Sequence, residues 1–333
     1  MRITRPACFD RFHCIAAACP DSCCQEWEVA VDEQTAERYR SLPGPLGDRL
    51  REVLRDEDGE IYFTIADRRC PMWRQDGLCR IQAELGADAL CRTCREFPRL
   101  RHDYGDFVEL QLELSCPEAA RYIVAGEAVD LLTEDVPGGG EGDYDQEAME
   151  ILLATRRTMR SILASQDHSV PEILAMALLY GCQAQSELDS GEIAPFHGDS
   201  ALEEAAGLAR PGDPGAMVEF FQGLELLTER WKDRLAHPEP GPWRREHLFL
   251  ARYFVDRYWL QAVADYDLYS RVKFMVLSCL LIRWLGGDPA ATAQLYSREI
   301  ENDAQNVDAI LDAAYTCAAF TDDKVLGMLL CGG

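Results

Sequence analysis

Apolar residues follow two rhythms along this chain. Up to about residue 125 the runs are short. Trp27–Val31 alternates like a strand, and Asp32 then caps a helix through Glu37 and Tyr39. Pro43-Gly44-Pro45 breaks that helix, and a second runs from about Leu46 to Arg55. Asp58-Gly59 marks a turn, Ile61–Ile65 reads as a strand, and a short helix lies near Ile81 to Leu85. Phe107–Leu114 alternates apolar with polar residues, as a half-buried strand does. Pro117 then opens a helix to about Ala125.

From Gln146 onward the period is helical almost throughout. The spacing predicts helices at Glu147–Leu163, Val170–Ser186, Leu202–Ala209, Ala216–Leu235, Trp243–Val263, Tyr269–Leu285, Pro289–Ile300 and Val307–Phe320. Breaks fall at Gly191, Pro211–Pro214, His237–Pro242 and Gly286-Gly287. The expected fold is therefore mainly α. A cysteine-rich domain with a few short strands (1–132) is followed by an acidic, glycine-rich linker (133–144) and a helical domain (145–333).

Composition narrows the class. With 333 residues, 47% of them hydrophobic, the chain can bury a sizeable core. Its longest apolar run, Met275–Ile282 between Lys273 and Arg283, is far shorter than the roughly 20 residues that span a bilayer. It reads as a buried helix. Met1–Pro6 is not followed by the apolar core of a secretory signal, so the expected location is the cytoplasm.

A net charge of −25 argues against nucleic acid and anionic membranes as partners; it serves solubility first and also permits a basic, lysine-bearing protein surface. Residues 133–150 carry seven acids and no base. Gly138-Gly139-Gly140 lies there without a preceding apolar strand, so it reads as linker rather than phosphate loop.

Cysteine changes the picture most. Ten of the fourteen fall in the first 116 residues, whereas core thiols would scatter. A reducing compartment disfavours disulfides. Cys14-x4-Cys19-x3-Cys23-Cys24 is followed by Cys70 and Cys79 around a turn, then Cys91-x2-Cys94, then Cys116-Pro117. Short gaps with intervening turns are how loops wrap a soft-ligand site. The pattern is neither a paired zinc ribbon nor the C-x3-C-x2-C of radical adenosylmethionine enzymes. Spacing leaves iron–sulfur and zinc both open. Eight arginines between Arg68 and Arg101 could stabilise thiolates, hold a carboxylate or cap helices. No histidine spacing marks a base, and the aromatic stretch Tyr253–Tyr269 reads as helix-packing core.

Phe12–Trp27, Val31-Asp32, Cys70-Pro71-Met72, Leu78–Gln82, Thr93–Arg99 and Leu114–Arg121 together resemble the flagellin lysine-N-methylase family. The chain departs from that pattern at Ala16, where Gly is usual, and at Cys91, where Ser is usual. The resemblance implies methyl transfer from S-adenosylmethionine to lysines of a protein such as flagellin. It also implies a metal site, an iron–sulfur cluster of the 4Fe-4S type or zinc. The expected ligands are Cys14, Cys19, Cys23, Cys24, Cys70, Cys79, Cys94 and Cys116, with Cys8 and Cys91 left open. Arg95 and Arg99 are the candidates for holding the cofactor's carboxylate. No glycine-rich cofactor loop of the doubly wound methyltransferase kind is present, so that cofactor site would be unconventional. A non-catalytic metal-chelating protein and a helical adaptor are the alternatives.

Overall fold

A computed structural model describes residues 1–25, 28–65 and 67–331. Glu26 and Trp27, at the start of the expected Trp27–Val31 strand, lie outside the described residues. Helix covers 55% of the chain and strand 11%, which makes it mainly α. The strands are β1 (Arg2–Pro6), β2 (Val29–Ala30), β3 (Leu54–Glu57), β4 (Glu60–Phe63), β5 (Arg99–Asp103), β6 (Phe107–Leu112) and β7 (Leu131–Asp135). Among the described residues no helix is long and apolar enough to cross a membrane.

The chain divides into two compact units whose bounds differ from the sequence division at 132 and 145. One, the cysteine unit, is Phe12–Leu100 with Cys116–Ala119; the other, the helical unit, takes Met1–Arg11, Arg101–Ser115 and Ala120 onward. The reason is strand pairing. β1 runs parallel to β6 and antiparallel to β7, with Thr4 opposite both Glu109 and Thr133. Residues from the first third thus join the helical unit. Thr133–Asp135, expected as linker, extends β7.

In the cysteine unit, β2, β4 and β3 form an antiparallel sheet in that order. The helices Glu33–Ser41 and Gly44–Val53 bury Ala36, Tyr39 and Leu50 with Phe63. The second helix stops at Val53, short of the expected Arg55. Asp58 and Gly59 both adopt positive φ (54° and 88°), the two-residue hairpin turn that aligns twisted strands. That turn draws Leu54–Glu57 into β3.

In the helical unit, the expected Ala216–Leu235 helix is two, Pro214–Gln222 and Glu229–Ala236. Thr228 caps the second by accepting the Trp231 N–H at 3.1 Å. The buried Glu299 carboxylate accepts the Leu227 N–H at 2.8 Å and the Thr228 hydroxyl. A helix not expected from the sequence, Asp322–Leu330, closes the fold. Tyr269–Leu285 is buried almost throughout, and even Lys273 is satisfied by the Ala314 carbonyl (2.9 Å) and Asp322 (2.7 Å). Tyr253, Phe254, Tyr258 and Trp259 are core, and the hydroxyl of Tyr258 donates to Glu301 at 2.8 Å.

The polar face of β6 is also buried. Glu109 receives two hydrogen bonds from Arg156, at 2.8 and 2.5 Å. Nearby, burial and the charge of Arg257 hold His102 below the ordinary histidine range, and its Nε2 has no partner among the described residues. His247 is likewise lowered by burial. Both imidazoles are therefore neutral in the fold, while the unfolded chain takes up protons below about pH 6.5. Their contribution is fully present above that pH and is lost as pH falls through the folded values. Urea midpoints should drop between about pH 7 and about pH 5, with a shallower slope in His102→Gln. An equal slope in that variant contradicts the assignment.

Candidate metal centre

Three backbone features gather the thiols of the cysteine unit. The first loop makes a tight turn at Ala16–Ala18, and the Ala16 N–H points to Cys14 Sγ at 3.4 Å. Next, the Cys70 N–H donates to the Cys24 carbonyl at 2.8 Å, beside a bridge between Gln25 and Arg69. This pins the first cysteine loop to the second. A further bridge joins Trp73 to Cys79 across a turn at Gly77, whose φ is 78°. Finally, three thiols stand at helix starts: Cys79 before Arg80–Leu85, Cys91 before Arg92–Glu96, and Cys116 before Pro117–Val124. All fourteen cysteines are free thiols.

Mutual electrostatics sort the sulfurs into two neighbourhoods. Burial pushes Cys116 up to about 11, and the charges of Cys19 and Cys14 add to it. A hydrogen bond to Cys24 comes first in raising Cys23, followed by burial and by repulsion from Cys24, Cys14 and Cys116. Cys14, Cys19, Cys23 and Cys116 thus form one group. Cys70 is raised to about 12 by burial first, then by Cys24, Cys79 and Cys91. Cys79 is raised by burial, then by Cys24 and Cys91. Cys94 is raised chiefly by its hydrogen bond to Cys91, which is lowered in return. Cys24, Cys70, Cys79, Cys91 and Cys94 are the second group, and the adjacent Cys23 and Cys24 link the two.

All eight expected ligands therefore lie in one unit. Cys91, left open by the sequence, sits among them, and its C-x2-C spacing to Cys94 was the signal for it. Cys8 belongs to the helical unit, where burial raises it to about 11 and Arg11 and Glu127 are its charged neighbours. Cys182, Cys279, Cys317 and Cys331 also belong there, and the Cys279 thiol donates to the His247 carbonyl at 3.5 Å.

Among the described residues no three His, Cys, Asp or Glu side chains already stand in metal-ligating geometry. The chemistry of the donor set fits a soft metal nonetheless. It consists of free thiols gathered in one unit, with Cys24 and Cys91 lowered by hydrogen bonds from their partners.

The arginines have other partners than sulfur. Arg69 stacks over Trp73 (4.2 Å to the ring centre), and Arg74 and Arg80 meet Asp76 and Glu84. Arg95 is exposed on the short helix Arg92–Glu96. Arg99 begins β5 rather than continuing that helix. Its guanidinium lies 5.1 Å from the Phe12 ring centre and donates to the Phe12 carbonyl at 3.3 Å.

Asp32 organises the rim of the second group. One oxygen accepts the Thr35 N–H at 3.0 Å and caps Glu33–Ser41; the other accepts the Arg92 N–H at 2.8 Å, just after Cys91. Burial acts to raise this carboxyl, but those donors outweigh it and hold it below the usual range. Asp32→Ala should cost about 1–2 kcal/mol in urea unfolding, with Asp32→Asn much milder. Equal losses in the two variants would argue against the double cap.

Three curated proteins match this chain. It is 36% identical over 132 residues to Lysine-N-methylase of Salmonella typhimurium, covering 37% of this chain and 32% of that protein. It is 35% identical over 132 residues to Flagellar biosynthetic protein FliU of Salmonella muenchen, covering 76% of that protein. Lysine-N-methylase of Salmonella choleraesuis matches at 35% identity, again over 32% of its length. The match thus spans about a third of the two lysine-N-methylases. No family model and no solved structure matches.

Proposed function

The chain belongs to the family of lysine-N-methylase and FliU, and from that membership we propose that it is a protein lysine N-methyltransferase. The observation that carries this reading is the 35% identity across 76% of FliU. The methyl donor is S-adenosylmethionine, and the acceptor is a lysine on a protein surface, flagellin first among the candidates. A net charge of −25 suits a basic acceptor surface.

In the reaction the neutral lysine amine attacks the methyl carbon in line with the sulfonium, the C–S bond breaks, and S-adenosylhomocysteine leaves. The new ammonium then sheds its proton. The thiols of the cysteine unit would hold an iron–sulfur cluster or zinc, with Cys91 added to the eight expected ligands. Bound there, such a group supplies the soft positive charge that keeps neighbouring thiolates together. Arg95, exposed on the short helix Arg92–Glu96, would be a charge that an anionic group of cofactor or substrate could meet.

Incubating the full chain and flagellin with methyl-labelled S-adenosylmethionine tests the reading. Label on flagellin lysines, mapped by mass spectrometry, is the expected result. A chain that binds metal yet transfers no methyl group, to flagellin or to a mixed protein extract, would instead be the non-catalytic chelator.

A further inference from the structure

Three helix ends in the helical unit enclose a cavity that the proposed chemistry does not use. It measures about 270 Å³ and lies where the start of Glu246–Tyr258, the end of Tyr269–Leu285 and the start of Pro289–Glu299 come together. Gly286 and Gly287, at φ 69° and 76°, turn the chain from the second of these helices into the third. The volume is close to the range of ordinary small-molecule pockets, about 300–1,000 Å³.

The wall carries Arg244, His247 and Arg283 and no carboxylate. Arg244 is exposed and bonds to His247 through its backbone alone, which leaves its guanidinium without a partner among the described residues. Arg283 is 9% exposed, lies 5.4 Å from the Trp243 ring centre, and is lowered by burial. An anion beside it would offset that burial.

Neighbouring acids do not cancel these charges. Glu239, Glu246 and Asp288 are close in sequence but stand outside the wall. Glu239 and Asp288 are exposed, so water screens them, and Asp288 accepts the Ala291 N–H at 2.9 Å as a helix cap. From outside the wall Arg234 adds a positive charge and donates to the Gly286 carbonyl at 2.6 Å. At His247 itself the charge of Glu246 is opposed by those of both Arg283 and Arg244. The balance inside is positive, in a chain whose net charge is −25.

A second observation fixes the polarity. His247 is only 3% exposed, and its Nε2 has no partner among the described residues. The Arg244 carbonyl already accepts the His247 backbone N–H at 3.0 Å, so Nδ1, 3.1 Å from the Arg244 N–H, acts as the acceptor. The hydrogen of the neutral ring is then on Nε2. A buried donor without an acceptor costs stability unless something completes it.

We propose that this cavity binds a phosphate group, either inorganic phosphate or that of a small phosphate ester. Near neutral pH such a group carries about two negative charges and matches both guanidinium groups, whereas a carboxylate matches one. His247 Nε2 donates a further bond to its tetrahedral oxygens. S-adenosylmethionine has no phosphate, so the assignment is independent of the methyltransferase reading.

Titration calorimetry of the full chain at fixed ionic strength, with inorganic phosphate and with glycerol phosphate, tests the proposal. At least one should bind the wild type, and the tighter of the two identifies the source. That ligand should bind at least about tenfold more weakly to Arg244→Gln and to Arg283→Met. Arg244→Gln alters an exposed side chain that meets no carboxylate, so circular dichroism should stay unchanged. Arg283→Met keeps an apolar stem over Trp243. If neither ligand binds the wild type, or if folded Arg244→Gln binds as the wild type does, the cavity is not a phosphate site. Displacement of bound phosphate by S-adenosylhomocysteine would give the cavity to the methyl donor and overturn the proposal as well.

Discussion

Arg156→Met should destabilise the helical unit by about 3–5 kcal/mol, out of the roughly 5–15 kcal/mol that holds an ordinary domain folded. Arg156 and Glu109 are 4% and 10% exposed and share two hydrogen bonds. Burial alone would lower the Arg156 guanidinium, but Glu109 more than compensates and holds it above its ordinary value. Removing it strands a carboxylate in the interior. Replacing both partners, Arg156→Met with Glu109→Leu, removes that orphaned charge and should recover most of the loss. Urea unfolding of the two single variants and the double variant reads the difference directly. A single-variant cost under about 1 kcal/mol would mean that water screens the pair as it does a surface bridge.

Cys24→Ser should abolish the metal binding proposed for the thiol centre and loosen the cysteine unit with it. Cys24 faces Cys70, Cys79 and Cys94 electrostatically, hydrogen-bonds to Cys23, and accepts the Cys70 N–H through its own carbonyl. The serine keeps that backbone bond and loses the soft ligand, so the variant separates ligation from chain pairing. Structural metal sites supply folding energy outright, so loss of the ion should accelerate hydrogen exchange across residues 12–100. Cys182→Ser, in the helical unit, should leave metal content unchanged. Full metal retention in Cys24→Ser would remove Cys24 from the ligand set.

Much of this arrangement was legible in the sequence wherever the signal is local. The helices Gln146–Leu163 and Tyr269–Leu285 follow from apolar period, and Asp32 from its place before a helix. The cysteine spacing foretold which thiols would share a unit. What stayed hidden depends on distant partners. The pairing of β1 with β6 and β7 joins segments more than a hundred residues apart, and no local pattern encodes it. The polar positions of β6 suggest a solvent face, yet Arg156 turns that face inward. The break before Thr228 is fixed by Glu299, about seventy residues onward. Cys91, which the family likeness leaves open, hydrogen-bonds to Cys94, in keeping with its own C-x2-C spacing.

Purifying the full chain without oxygen and measuring iron, zinc and acid-labile sulfide per chain tests the thiol centre most directly. The expected result is bound zinc, or iron with matching sulfide, that is lost in Cys24→Ser together with methyl transfer. A metal-free chain that still methylates flagellin lysines at full rate would contradict it.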